Sequence, residues 1–283
     1  MKTVIKTLCT AGAKPFLIAA SLAALIPQAV KADENLASLQ VYLSAPAQQN
    51  TFIGDAYTET FDAFTPGSSV SGTYRSTVGT YTFAEPAQAR GADEHGGANG
   101  STYLTFGAQS ETTQGFTLTL GFAANYFGFW WSAGDGKNGI SFYYDDTLLA
   151  RFSTQDILNL LGDRDTGMVT AVDDRITYES KEYFGNPNLD YQNFGQPYSY
   201  VNIFAIGATF NKIVFDNSDT TSTGFETDNH AVTYTTVDPG DEPSLVKVTV
   251  IQTPAVPEPS TTALLVGAGI GLVYRVARRR KQA

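Results

Sequence analysis

Between Thr102 and Thr236 the chain offers only short apolar runs, each cut off within a few residues by Gly, Asn, Asp or Ser. Runs of that length rich in Tyr, Phe, Thr, Val and Ile suit a pleated, half-buried surface. Turn clusters recurring between them favour a sandwich or barrel over a helical bundle. The predicted strands are Thr102–Phe106, Phe116–Phe122, Tyr126–Trp131, Ile140–Tyr144, Leu148–Phe152, Tyr200–Ala205, Lys212–Phe215 and Ala231–Thr236. Ile140–Phe152 reads as a hairpin with Asp145-Asp146 at its turn, where Asp is favoured. The expected fold class is therefore all-β, an antiparallel, jelly-roll-like β-sandwich.

One short helix is expected inside it. Ser153-Thr154-Gln155-Asp156 offers a hydroxyl cap with a carboxylate three residues on, ahead of Ile157-Leu158 and Leu160-Leu161. Gly162 is placed to stop it. No internal repeat suggests a solenoid or propeller. Asp33–Phe64 is harder to read and is expected to be partly loose. From Val237 to Pro259 five prolines surround one strand-like run, Leu245–Ile251, which reads as a last strand and a spacer.

Both ends read as addresses. Lys2, Lys6 and Lys14 precede an apolar run from Phe16 to Ile26 and then Val30-Lys31-Ala32. This is the pattern of a secretory signal peptide, with cleavage expected after Ala32 and Ala29 as second choice. The one cysteine, Cys9, lies inside that signal, so the mature protein is expected to have no disulfide and to stand on its hydrophobic core. Between Asp33 and Ala255 there are 9 Lys/Arg and 27 Asp/Glu, a net charge of −18. A body so acidic repels nucleic acid and anionic lipid.

At the other end, Val256-Pro257-Glu258-Pro259-Ser260 is followed by an apolar stretch and then Arg275, Arg278, Arg279, Arg280 and Lys281. The stretch is shorter than the roughly 20 residues that comfortably span a bilayer. The basic end would be held on the cytoplasmic side. This tripartite tail resembles the PEP-CTERM sorting signal of bacteria that carry an exosortase. Pro257, Glu258 and Pro259 match its motif, and Arg278-Arg279-Arg280-Lys281 matches its end. The resemblance implies recognition by an exosortase-type membrane protease, removal of the tail, and delivery to the cell surface or extracellular matrix. An ordinary single-pass anchor is the plainer alternative. The centre, roughly Tyr126 to Thr236, resembles a cyanobacterial family of exosortase-dependent surface proteins. The matching stretches are Tyr126–Asp135, the Ile140–Phe152 hairpin, Tyr200–Phe204 and Gly224–Val232. The expected organisation is a signal peptide at 1–32, the sandwich at 33–236, a Pro-rich spacer with a possible last strand at 237–255, and the sorting signal at 256–283. Within the signal, the motif is 257–259, the hydrophobic sorting helix 261–277 and the basic end 278–281.

Few residues offer chemistry. His95 and His230 fall in different stretches, neither with a second His or Cys at metal-ligand spacing. Both are expected in solvent-facing loops. No Gly-x-Ser-x-Gly elbow occurs. Hard cations want several oxygen ligands, and Asp216, Asp219, Glu226 and Asp228 could converge around one loop to hold calcium. Asp135 and Asn138 form a second oxygen-rich cluster, and turn chemistry is the competing account of both. In a strand, Phe127, Phe129 and Trp131 share one face, the core, and Trp130 with Gly128 takes the other. Trp130 is the candidate glycan contact, as an exposed platform. Gly91–Gly100 is glycine-rich but lacks the Lys and Ser/Thr of a phosphate loop. The adjacent pairs Asp145/Asp146 and Asp173/Asp174 point to opposite faces of any strand and form no glycosidase couple.

The expectation is a non-catalytic, exported protein acting in adhesion, biofilm or envelope organisation, with no cofactor beyond possible calcium. Its partners would be the exosortase-type protease, the membrane before processing, and extracellular polysaccharide. The alternatives are a carbohydrate-binding module, calcium-assisted or not, and a glycan-active hydrolase whose carboxylates meet only in the fold.

Overall fold

A computed structural model describes residues 37–108 and 115–253. The signal peptide, the sorting motif and the basic end fall outside them. The first strands are β1 (Ser38–Leu43), β2 (Tyr57–Glu59), β3 (Ser69–Arg75), β4 (Thr80–Arg90), β5 (Tyr103–Gly107) and β6 (Phe116–Ala124). Next come β7 (Tyr126–Ser132), β8 (Asn138–Tyr144), β9 (Thr147–Ser153) and the helix α1 (Thr154–Leu161). After it lie β10 (Met168–Thr170), β11 (Thr177–Glu179), β12 (Phe184–Asn186) and β13 (Gln192–Pro197). The chain then returns through β14 (Ser199–Ile206), β15 (Phe210–Asn217), β16 (Gly224–Thr233) and β17 (Val246–Gln252).

Thirteen of these strands form one antiparallel sheet, in the order β17-β1-β14-β7-β16-β5-β4-β6-β15-β8-β9, with β2 added to β16 and β3 to β4. The sheet folds over itself into a jelly-roll-like β-sandwich, so strands far apart in the order face each other. Phe127 of β7 meets Phe142 of β8 at 6.4 Å and Phe215 of β15 at 6.0 Å between ring centroids. Phe215 also stacks on Phe116 at 4.5 Å and meets Phe129 edge-on at 5.8 Å. Aromatic pairs in such offset and edge-to-face arrangements add to the area they bury.

Burial follows from place in the sheet. In β6 and β15 buried and more open residues broadly alternate, as expected with one face on the core. β7 and β16 are buried throughout, because loops cover the face that turns away from the core. The Ile140–Phe152 hairpin forms as expected, Tyr144 pairing Thr147 across the Asp145-Asp146 turn. Helix α1 starts at the expected cap: Asp156 accepts from the Ser153 amide at 3.1 Å and the Ser153 hydroxyl at 2.9 Å. Gly162, at φ +63°, ends it.

One stretch is more ordered than its sequence suggests. Asp33–Phe64 contains β1, which lies between β14 and β17 within the sheet. The strand expected at Leu245–Ile251 forms as β17, hydrogen-bonded along β1. β4 spans Pro86, at the changeover where its partner switches from β6 (Thr80–Phe83) to β5 (Gln88–Arg90). The register to β3 also shifts there, and a bulge is where a strand tolerates proline.

Phe215 touches aromatic rings from both layers, so emptying its site leaves a cavity that the packed sandwich cannot close. Phe215→Ala is expected to lower the unfolding free energy by about 3–5 kcal/mol. Urea denaturation followed by tyrosine and tryptophan fluorescence checks this, and a change under 1 kcal/mol (about the average for any substitution) would contradict it.

Candidate functional site

Every residue of β16, Gly224-Phe-Glu-Thr-Asp-Asn-His-Ala-Val-Thr233, is buried. The sequence reading puts its polar centre in a loop, but the structure makes it a strand inside the sheet. Its side chains divide between the faces. Phe225, Thr227 and His230 face the aromatic core, while Glu226 and Asp228 face the other way, beneath covering loops.

His230 is the correction with the plainest cause. It is fully buried, with its Nδ1 3.0 Å from the Tyr81 hydroxyl and its Nε2 2.7 Å from the Thr227 hydroxyl. Its ring stacks on Phe215 at 5.1 Å with a 7° tilt. Burial depresses its pKa to about 3, so the imidazole is neutral, one nitrogen donating and the other accepting. The two hydroxyls satisfy both roles.

The calcium quartet does not form one ligand set. Asp216 is paired through both oxygens with Arg151, the Nη2–Oδ1 contact being 2.6 Å. Asp219 caps its own turn, accepting from the Thr221 and Ser222 hydroxyls, which lower its pKa. Glu226 and Asp228 are fully buried in β16. Among the described residues no three His, Cys, Asp or Glu side chains group as metal ligands. In the second cluster, Asp135 accepts from the Lys137 amide at 2.8 Å, and Asn138 donates to the Gly224 carbonyl at 3.1 Å.

Trp130 is on the face the strand pattern gives it, but it is no platform, being 1 % exposed. It packs with Ala98, Ala133, Tyr198 and Tyr200, which the covering loops and β14 bring over it. Phe127, Phe129 and Trp131 enter the main core as expected.

The cover is held by amides. Gln49 and Asn188 exchange two hydrogen bonds of 2.9 Å, and Asn188 also donates to the Gly97 carbonyl at 2.9 Å. Asn229 donates to the Gln49 carbonyl at 2.9 Å and to Asn50 Oδ1 at 2.7 Å. Asn186 donates to the Asp93 carbonyl at 2.9 Å. Beneath it Asp228 accepts from the Ala98 amide at 2.9 Å, the Ser101 hydroxyl at 2.7 Å and the Asn229 amide at 2.7 Å. Burial nevertheless pushes its pKa up to about 8. Glu226 accepts from Thr105 at 3.3 Å, and burial raises its pKa well above the usual carboxylate range. The two carboxyls share a strand face two residues apart, yet both lie under the cover and neither is exposed to a groove.

An open groove of about 360 Å³ lies elsewhere, lined by Arg164, Asp165, Lys181, Glu182, Tyr191 and Phe194. Phe194 is 64 % and Tyr191 45 % exposed. The Arg164 guanidinium sits 5.0 Å from the centre of the Phe194 ring. The sequence reading missed both rings, although a signal was present. They sit in Asn186–Gly195, a segment dominated by turn-forming residues, where an aromatic side chain has little chance of reaching the core.

No protein-family model matches this chain, and neither does any curated protein or solved structure. Among the described residues no helix is long and apolar enough to cross a membrane.

The buried titrating groups predict a pH dependence. Asp228 and Glu226 have raised pKa values, so they hold protons in the fold that the unfolded chain has lost. Their stabilisation is complete below the ordinary carboxylate range and is lost as pH rises, for Asp228 up to about 8. His230 has the opposite sign: its neutral form is the folded one, and stability is lost as pH falls from 6.5 toward 3. Between pH 7 and 8 the imidazole is neutral in most unfolded chains as well, the carboxyls dominate, and stability should fall as pH rises. Asp228→Asn should flatten that slope, whatever its cost in absolute stability. Urea unfolding at a series of pH values measures it, and a level profile in the unaltered protein from pH 7 to 8 would refute it.

Proposed function

We propose that the chain is a non-catalytic, exported protein of the bacterial surface or matrix, sorted by an exosortase-type membrane protease and acting in adhesion, biofilm or envelope organisation. The observation that carries this reading is the order of the tail: Pro257-Glu258-Pro259, an apolar stretch, then Arg278-Arg279-Arg280-Lys281 at the C-terminus. The resemblance of Tyr126–Thr236 to exosortase-dependent surface proteins points the same way.

The folded part is consistent with life outside the cell. The sandwich stands on an aromatic core without a cysteine in the described residues, which suits an oxidising compartment. Its acidic surface keeps it soluble and away from nucleic acid. A second reading, a carbohydrate-binding module, loses Trp130 as its platform but is favoured by the exposed Tyr191 and Phe194.

Processing is tested by the intact mass of the protein recovered from the surface of a host that has an exosortase. The expected form begins after Ala32 and lacks the basic end. Replacing Pro257, Glu258 and Pro259 with alanine should leave the tail in place. A surface form that ends at Ala283 and stays in the membrane would instead favour an ordinary single-pass anchor.

A further inference from the structure

Three segments build the groove at Tyr191 and Phe194, and each is braced. After α1, Asp163 caps a turn by accepting from the Asp165 amide at 3.1 Å, the Thr166 amide at 3.0 Å and the Thr166 hydroxyl at 2.8 Å. That turn presents Arg164 and Asp165 outward as a pair at 2.7 Å. Ser180 then ties the next segment back to the helix end, its hydroxyl donating to the Leu161 carbonyl at 2.6 Å and its amide to the Gly167 carbonyl at 2.9 Å. This places Lys181, paired with Glu179, on the groove wall.

The third segment is the β12–β13 hairpin, and it is strained. Asp190, Tyr191 and Asn193 all adopt positive φ, at 49°, 58° and 58°. For a bulky residue such as tyrosine this is a true outlier. Such strain persists only where the surroundings over-determine it, and it concentrates at ligand clamps. Here the Tyr191 amide donates to the Asn186 carbonyl at 2.9 Å, and the Gln192 amide to the Leu189 carbonyl at 3.0 Å. Gly185 leaves room for the Tyr191 backbone, where any Cβ would collide with it. Asn193 also donates to the Tyr198 hydroxyl at 2.8 Å. The hairpin thus spends strain and hydrogen bonds to hold two aromatic rings facing solvent. Apolar burial alone would turn them the other way.

We propose that this groove is a glycan-binding site, with Tyr191 and Phe194 as stacking platforms for a neutral pyranose. The apolar C–H face of a pyranose suits the negative face of an aromatic ring. Sugar hydroxyls need donors and acceptors together, which Arg164 with Asp165 and Lys181 with Glu182 supply around the rings. The volume is within the range for a small-ligand site. The charge argues for a neutral sugar. Both cations already have a carboxylate partner, and the body carries a net −18, so a polyuronate is repelled at long range. The inference rests on the export reading only for where the ligand is met. It makes matrix polysaccharide the partner and names the site.

The test uses the full chain, in a detergent without a sugar headgroup, against neutral β- and α-glucan, mannan and galactan oligosaccharides and against polyuronate. Isothermal titration calorimetry gives the affinity, and thermal unfolding confirms that each variant is folded. At least one neutral glycan is expected to bind. Tyr191→Ala and Phe194→Ala should each weaken binding by about tenfold or more, as truncating an aromatic anchor does, and Phe194→Trp should retain it. Because Phe194 is mostly exposed, the unfolding temperature of Phe194→Ala should stay put. The inference is overturned if no neutral glycan binds, if binding survives the double alanine variant, or if only polyuronate binds and salt abolishes it. A surface form that has lost its tail but binds no glycan would sink this inference and leave the sorting reading intact. A glycan-binding form that keeps its tail would do the reverse.

Discussion

A polar strand in the middle of an aromatic sandwich is the constraint on which the rest of this structure depends. β16 lies inside the sheet beside β7, β5 and β2, with the aromatic core on one face and loops over the other, so its side chains are out of water and each polar one requires a partner. On the core face, His230 meets that demand with Tyr81 and Thr227, from β4 and its own strand. The imidazole is thereby made a packing ring that stacks with Phe215 and touches Phe127 and Phe129. On the opposite face, Asp228 accepts from the cover and Asn229 donates to it, while Glu226 accepts from Thr105 of β5.

That cover organises the surface around it. The loops bearing Gln49, Ala98 and Asn188 cross β7, β14 and β16 because the buried carboxyls and amides beneath them need hydrogen-bond partners. By crossing there they bury Trp130 and Tyr200 and close this face of the sandwich to ligand. What stays open is at its margin, where the β12–β13 hairpin holds Tyr191 and Phe194 outward next to Arg164. The hairpin takes part in both: Asn186 and Asn188 tie it to the cover, and Tyr191 and Phe194, a few residues on, are the rings it exposes.

Much of the fold was legible in the chain. The β7 run, the β8–β9 hairpin and the capped helix announce themselves through alternation, a two-residue turn and a Ser-x-x-Asp cap. These are local signals, each decided by residues a few positions apart. β4 was obscured by Pro86, which is tolerated only because its strand partner changes there. β16 was obscured by its own polarity: Glu-Thr-Asp-Asn-His reads as a turn unless the partners that satisfy it are known. The candidate site shows the same division. Alternation assigns Trp130 to the face away from the core, but it cannot say that Ala98 and Tyr198 will cover that face. It likewise cannot say that Asp216 will be held by Arg151, some 65 residues away.

The sequence by itself determined an all-β body, the short helix, the core face of β7 and the acidic charge. Each depends on composition or on neighbours along the chain. Only the tertiary structure decided which polar groups are buried, which aromatic rings remain outside and which carboxylates are spent on partners. Burial and pairing are set by contacts between residues remote in sequence. In a single sheet that folds back on itself, those contacts exist only once the two layers have met.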